Sequence, residues 1–208
     1  MSEKSQKSDK KIDKKAELKK IRDEIWDLKK SPLYKERTKN NAYPVIGEGS
    51  HDADIMFIGE APGKNEAATG RPFCGMSGRI LDELLKHVKM SRDDVYITNI
   101  VKDRPTNNRD PKSDEIKLYA PFLDRQIEII EPKIVVTLGR VSMEYVMKRY
   151  GLKDEIKPIG EIHGKKFNAT HENQKFIFVP LYHPAVALYN RNNLPDLKKD
   201  FTKLSKEK

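Results

Sequence analysis

The sequence predicts an α/β protein of three layers, α/β/α, around a central four-stranded, mainly parallel sheet. Three observations predict it. Four short apolar runs have the length and the β-branched and aromatic content of buried strands: DIMFIG (54–59), DVYITNI (94–100), KIVVTLG (133–139) and KFIFVPLY (175–182). Stretches with helical apolar spacing separate them, and strands that alternate with helices form a parallel sheet covered on both faces. Each run also exits into polar, Gly- or Pro-containing sequence: GEAPG, TNIVKDRPTNNRDP, LGR and YHPAVALYN. In such folds a ligand sits outside the carboxyl ends of the strands, so these four exits share one rim.

The elements follow in order. The first twenty residues hold eight Lys against four acids and so carry +4. Residues 1–15 read as a basic disordered tail, either a solubilising extension or a DNA-binding arm, and residues 16–208 as one domain. KKAELKKIRDEIWDLKK (14–30) places Leu18, Ile21, Ile25 and Leu28 at helical spacing, with Trp26 alongside. SPLYKERTKNNAYPVIGEGS (31–50) reads as loop. Helices are expected over 77–88, 113–130, 140–151 and about 194–204, the second with Ser113 as N-cap and Asp114 and Glu115 in its first turn. There is no internal repeat.

Bulk properties narrow the function classes. With 208 residues and 37% hydrophobic content, the chain supports one ordinary core. A formal charge of +9 points to an anionic partner, most often nucleic acid. Cys74 is the only cysteine, which excludes an internal disulfide. No apolar run reaches membrane-spanning length and no apolar leader opens the chain, so no membrane partner is expected. The expectation is a soluble intracellular monomer: cytoplasmic, nucleoid-associated, or nuclear in a eukaryotic or viral setting.

The longest exit, IGEAPGKNEAATGRPFCGMSGR (58–79), far exceeds what a plain connector needs, and it carries Glu60, Asn65, Arg71 and Phe73. Glu60 reads as a general base, a charge stabiliser or a loop organiser, and the spacing does not separate these. Phe73, flanked by Pro72 and Cys74-Gly75, is either core or a stacking wall for a flat ligand. Asn99 ends an apolar strand; it is a turn cap, or its amide reads the edge of a pyrimidine. His183 precedes Pro184 on the same rim, where it is either structural or a donor to a developing oxyanion. Asn108 and Arg109, in NNRDP, make a turn or face a ligand or phosphate. The other histidines, His51, His87, His163 and His171, are scattered and read as structural or surface residues. GEAPG has neither dinucleotide-fold nor phosphate-loop glycine spacing, and no Cys/His cluster has zinc spacing.

As a set, GEAPG, GRPFCG, TNIVK…RP…NRDP, LG and YHPA resemble, in that order, the family 4 uracil-DNA glycosylases, over roughly Ser31 to Phe201. The resemblance implies uracil-containing DNA as the partner. It implies a monofunctional hydrolase that flips uracil out of DNA, cleaves its N-glycosidic bond and starts base-excision repair. By the same resemblance Asn99 recognises the uracil edge, Phe73 stacks on the flipped base and His183 stabilises the uracil O2. Glu60 and Asn108 fall at positions used in catalysis or in holding the site, with Gly59 and Ala61 beside the substrate. Ala61 stands where the GQDPY type of uracil glycosylase has a water-activating Asp. HPAVALYN, with Pro184, Ala185 and Leu188, resembles the loop that enters the minor groove, Leu188 being the wedge. Arg109 joins this DNA-contacting set.

One departure is large. The family carries four cysteines that hold a [4Fe–4S] cluster. Leu28, Ser31, Asp103 and Tyr119 occupy those places here, and LKKSPLY stands where C-x-x-C-P-L is expected. No cluster and no other cofactor is therefore expected, with packing of Leu28 and Tyr119 anchoring the N-terminal segment instead. Two other readings are a damage-binding protein with the same pocket but no turnover, and a covalent uracil-DNA-trapping variant. The second has GEQPG and an Arg-rich loop ending in His, which Ala61 and IGEIHGKKF (159–167) match poorly.

Overall fold

The computed structural model describes residues 12–172 and 174–204. Most of the basic tail, residues 1–11, lies outside the described residues. The chain then runs α1 (Lys14–Trp26), α2 (Tyr34–Lys39), β1 (Glu48–Gly49), β2 (Ile55–Gly59), α3 (Lys64–Thr69), α4 (Met76–His87) and β3 (Tyr96–Asn99). It continues with α5 (Ser113–Ile130), β4 (Ile134–Leu138), α6 (Arg140–Arg149), α7 (Ile159–Ile162), β5 (Phe167–His171), β6 (Gln174–Leu181), α8 (Val186–Tyr189) and α9 (Leu194–Thr202).

The sheet has six strands rather than four, in the order β1-β3-β2-β4-β6-β5. The four expected strands form its parallel centre, and β1 and β5 add one antiparallel edge each. Both additions lack a strand signal. β1 is the dipeptide Glu48-Gly49, and of β5 only Ala169 is buried. A strand paired on one side with one inward residue reads as polar loop.

The central strands show why the fold has three layers. Successive side chains point to opposite faces. Met56, Ile58, Val135 and Phe178 face a core built with Leu18, Ile21 and Ile25 of α1, Tyr119, Leu123 and Ile127 of α5, and Met143, Val146 and Met147 of α6. Ile55, Phe57, Val136, Val179 and Leu181 face a second core with Ile80, Leu81, Leu84 and Leu85 of α4 and Leu197 and Phe201 of α9. Phe57 and Phe201 stack with ring centroids 5.6 Å apart. Among the described residues, no helix is long and apolar enough to cross a membrane.

Several boundaries differ from expectation. α1 begins at Lys14 because Asp13 accepts the Ala16 N–H at 3.0 Å. α5 is entered from Lys112, not Ser113; the reach-back is made by Glu115, whose carboxylate accepts the Lys112 N–H at 2.8 Å. α2 and α3 fold within stretches too short and polar to show an apolar stripe.

Candidate active site

The carboxyl ends of β2, β3 and β6 open into one cleft of about 400 Å³, while the exit of β4 supplies none of its lining and Gly139 lies behind His183. Its walls hold Glu60, Ala61, Phe73, Asn99, Asn108, Arg109 and His183, so three of the four exits converge, and the LGR exit of β4 does not join them. Glu66, Ser77, Asp110 and Tyr189 also line it, and sequence reasoning had not assigned them roles.

The floor is set by register. Gly59 of β2 pairs with Asn99 of β3. A side-chain carbon at position 59 would lie 2.7 Å from Phe73 Cζ and would also run into the Asn99 amide oxygen. Glycine there lets both groups lie against the strand end, which is the part Gly59 plays. Asn99 is only 2% exposed, and among the described residues its side-chain amide has no hydrogen-bond partner. Its backbone is fixed from below: Lys102 Nζ donates to the Asn99 carbonyl at 2.6 Å, to Thr98 Oγ1 at 2.7 Å and to Gln126 Oε1 at 2.5 Å. Lys102 is fully buried, and desolvation pulls its ammonium well below the usual lysine range.

Phe73 forms one wall. It sits at φ 48°, a region that bulky residues rarely adopt. The surroundings hold it there. Arg92 donates to the carbonyls of both Pro72, at 2.9 Å, and Phe73, and is itself tied to Asp82 at 2.7 Å. Glu66 Oε1 accepts the N–H groups of Cys74 and Gly75 at 3.0 and 2.9 Å. Glu66 thus organises the loop from α3; its only sequence signal is a lone acid three residues after Gly63.

His183 stands beside Phe73, with ring centroids 5.7 Å apart. Its Nδ1 accepts the Ala185 N–H at 3.2 Å. Desolvation pushes the imidazole down to about 4, so it is neutral at pH 7 with its proton on Nε2. Gly139, at φ 103°, makes room: a side chain there would press on His183 Cβ at 3.3 Å.

Glu60 is half-buried, and its carboxyl is pushed up to about 7, mainly by desolvation and further by Asp110, against the pull of Arg140. Asn107 and Asn108 both take left-handed backbone, φ 56° and 55°, and Arg104 Nε donates to Asn108 Oδ1 at 2.7 Å. Asn108 lines the cleft with its amide oxygen engaged by Arg104. Arg109 lines the cleft, but Glu115 grips its guanidinium twice, at 2.8 and 2.5 Å. That makes Arg109 a tie between the rim and α5.

The loop after His183 carries Pro184 and Ala185 into the short helix α8, where Ala185 accepts the Leu188 N–H at 2.9 Å. Leu188 is 40% exposed; Tyr189, beside it on the cleft, is 90% exposed. The aromatic neighbour of the expected wedge therefore projects further than the wedge.

The four positions assigned to cluster cysteines do not fit an iron–sulfur group. Leucine has no donor atom, and hydroxyl, phenol and carboxylate oxygens do not replace thiolates. Cys74 lies elsewhere, with its Sγ 3.3 Å from Thr69 Oγ1 beside the cleft.

A neutral histidine, an amide with no partner among the described residues and a carboxyl raised to about 7, lining one cleft with an aromatic ring, suit a flat polar ligand that gains negative charge. Comparison with known proteins agrees. The model of the Uracil DNA glycosylase superfamily matches residues 46–206. A type-4 uracil-DNA glycosylase of Sulfurisphaera tokodaii is 47% identical over 188 residues, 90% of this chain and 83% of that protein. That of Saccharolobus solfataricus is 47% identical over 88% of this chain and 83% of its own length. That of Archaeoglobus fulgidus is 38% identical over 87% and 88%. The chain belongs to the type-4 branch of the uracil DNA glycosylase superfamily.

Proposed function

We propose that this protein is a monofunctional uracil-DNA glycosylase that removes uracil from DNA, leaves an abasic site and so begins base-excision repair. The observation that carries this reading is the convergence of Asn99, Phe73 and His183 on one cleft.

An enzyme that acts on a base takes it out of the stack and reads it in a pocket. The flipped uracil lies on Phe73. Asn99 offers an amide N–H to O4 and its carbonyl oxygen to N3–H, a pairing that cytosine cannot match. When the C1′–N1 bond breaks, its electron pair moves onto the base and the sugar becomes cationic. His183, neutral and held in the Nε2–H tautomer by Ala185, donates to O2 as charge builds there. Glu60 faces the cationic sugar with a carboxylate matched near neutrality to accepting the proton of the attacking water. Asn108, its oxygen engaged by Arg104, uses its NH₂ to hold the water oxygen. Water adds to C1′ and gives its proton to Glu60, while uracil leaves with the electron pair as an anion held at O2 by His183; Glu60 then releases its proton to solvent and uracil takes one up. Leu188 and Tyr189 enter the space that the base vacates.

The reading includes action as a monomer. It also includes activity without a cluster, supported by the lack of a thiolate at Leu28, Ser31, Asp103 and Tyr119. A labelled uracil-containing duplex, incubated with the protein and run with and without alkali, tests it. Alkali-dependent breakage at the uracil is expected. No breakage points to a binding protein, and a band retarded after denaturation to a covalent adduct; either overturns the reading.

A further inference from the structure

Three of the four positions where the resemblance placed cysteines meet in a buried hydrogen-bonded chain. Ser31 Oγ lies 2.7 Å from the Tyr119 hydroxyl, and that hydroxyl donates to Asp103 Oδ2 at 2.6 Å. Arg37 Nη1 completes the chain at Asp103 Oδ1, 3.1 Å away. Arg37 also donates to the carbonyls of Ile25, at 3.1 Å, and Trp26, at 2.5 Å, which are the last residues of α1. Ser31 Oγ further accepts the Leu33 N–H at 3.1 Å. All four side chains are buried, and Leu28, at the fourth position, packs in the apolar core.

A buried charge pair needs its other donors and acceptors matched; here both Asp103 oxygens are engaged and Arg37 makes three hydrogen bonds. Burial raises the Asp103 carboxyl, while Tyr119 and Arg37 pull it back down. The chain ties three separate segments together: the end of α1 with α2, the middle of α5, and residue 103.

Residue 103 opens the loop that lines the cleft. The next residue, Arg104, holds Asn108 Oδ1. A second tie lies one position from Arg37: Thr106 Oγ1 donates to Glu36 Oε2 at 2.5 Å. The loop held at these two points contains Asn107 and Asn108, both left-handed; asparagine visits that region readily but singly, so two in succession call for support from the surroundings.

We propose that Ser31, Tyr119, Asp103 and Arg37 form a metal-free clasp that fixes the N-terminal segment to the 103–110 loop and thereby positions Asn108 in the cleft. Arg37, Asp103 and Tyr119 are positioning residues: they touch no substrate and act through the loop. The inference rests on the uracil-excision reading for its kinetic test but not for its structural one.

The test is Tyr119→Phe in the full chain, which keeps the ring in the core and deletes the bridging hydroxyl. Hydrogen exchange is followed over 103–111 and over α9 as a control. Exchange should quicken in 103–111 and stay unchanged in α9. Single-turnover uracil excision should slow about tenfold, and Tyr119→Phe should add little to Asn108→Ala, because a group acting through another is not additive with it. Unchanged exchange in 103–111, or losses that multiply in the double variant, would overturn the clasp. If the wild-type protein excises no uracil, the functional reading fails while the exchange comparison still decides the clasp. Ser31→Ala, which removes the far end of the same hydrogen-bonded chain with little change in volume, gives the same comparison if Tyr119→Phe does not fold.

Discussion

The Ala185 N–H donates to His183 Nδ1 at 3.2 Å, and this single bond decides which nitrogen of the ring carries the proton. With the imidazole held neutral, Nε2–H is the only donor the ring has left. His183→Ala is therefore expected to lose on the order of 3–4 kcal/mol of transition-state stabilisation, the scale of a deleted oxyanion donor. Nitrogen NMR of the wild-type ring should show the Nε2–H tautomer through neutral pH, with protonation only near pH 4. The sign for stability follows. The unfolded chain takes up this proton below its ordinary value near 6.5 and the folded one does not until about 4. His183 thus stabilises the fold above 6.5, and that contribution drains away as pH falls from 6.5 to 4. A ring that titrates near 6.5 would refute both statements.

Glu60 sets the pH profile of the reaction. As a base it must be ionised, and its carboxyl is raised to about 7. Single-turnover excision should rise with pH up to about 7 and then level off. Glu60→Gln should lower the rate about 10²–10⁴-fold, as for a lost general base, and remove the acid limb. An acid limb unchanged in Glu60→Gln would assign the titration to another group.

Gly59→Ala tests the floor of the cleft. The added methyl meets the ends of the Phe73 and Asn99 side chains, not backbone, so the fold should survive at a cost of about 1–3 kcal/mol. Excision should nevertheless fall by more than about 100-fold, because a displacement of about 1 Å is enough to cost that much. Thermal unfolding and excision measured on one preparation separate the two effects; near wild-type excision would show that Phe73 and Asn99 need no such seat.

Much of this site was legible in the sequence because a parallel sheet gathers its strand exits on one edge. Glu60, Asn99 and His183 each follow an apolar run within a residue or two, and topology brings them together. What was not legible depends on tertiary pairing. Nothing in the sequence marks Glu66 as the acceptor for two loop N–H groups, or Arg92 as the clamp on two carbonyls. Nor does the sequence show that Glu115, six residues from Arg109, holds its guanidinium. The edge strands β1 and β5 escaped because pairing on one side leaves little apolar pattern. The expected packing of Leu28 and Tyr119 anticipated their burial but not the Ser31–Tyr119–Asp103–Arg37 chain, since hydrogen bonds between residues 88 or 66 apart leave no local trace.

Metal independence is checked directly. The purified protein should be colourless, and a strong iron chelator should change neither its melting temperature nor its excision rate. Stoichiometric iron with broad visible absorbance would contradict the assignment of Leu28, Ser31, Asp103 and Tyr119.

The most direct measurement is single-turnover excision from matched uracil and cytosine oligonucleotides by wild type, Asn99→Asp and Asn99→Ala. Asp offers only acceptors where the amide offered a donor to O4. The expected result is rapid uracil release by wild type and losses of about 2–3 kcal/mol or more in both variants. A weak gain on cytosine, whose amine needs an acceptor, is expected in Asn99→Asp alone. Near wild-type uracil cleavage by both variants would remove Asn99 from base recognition and contradict the central claim that this cleft reads uracil.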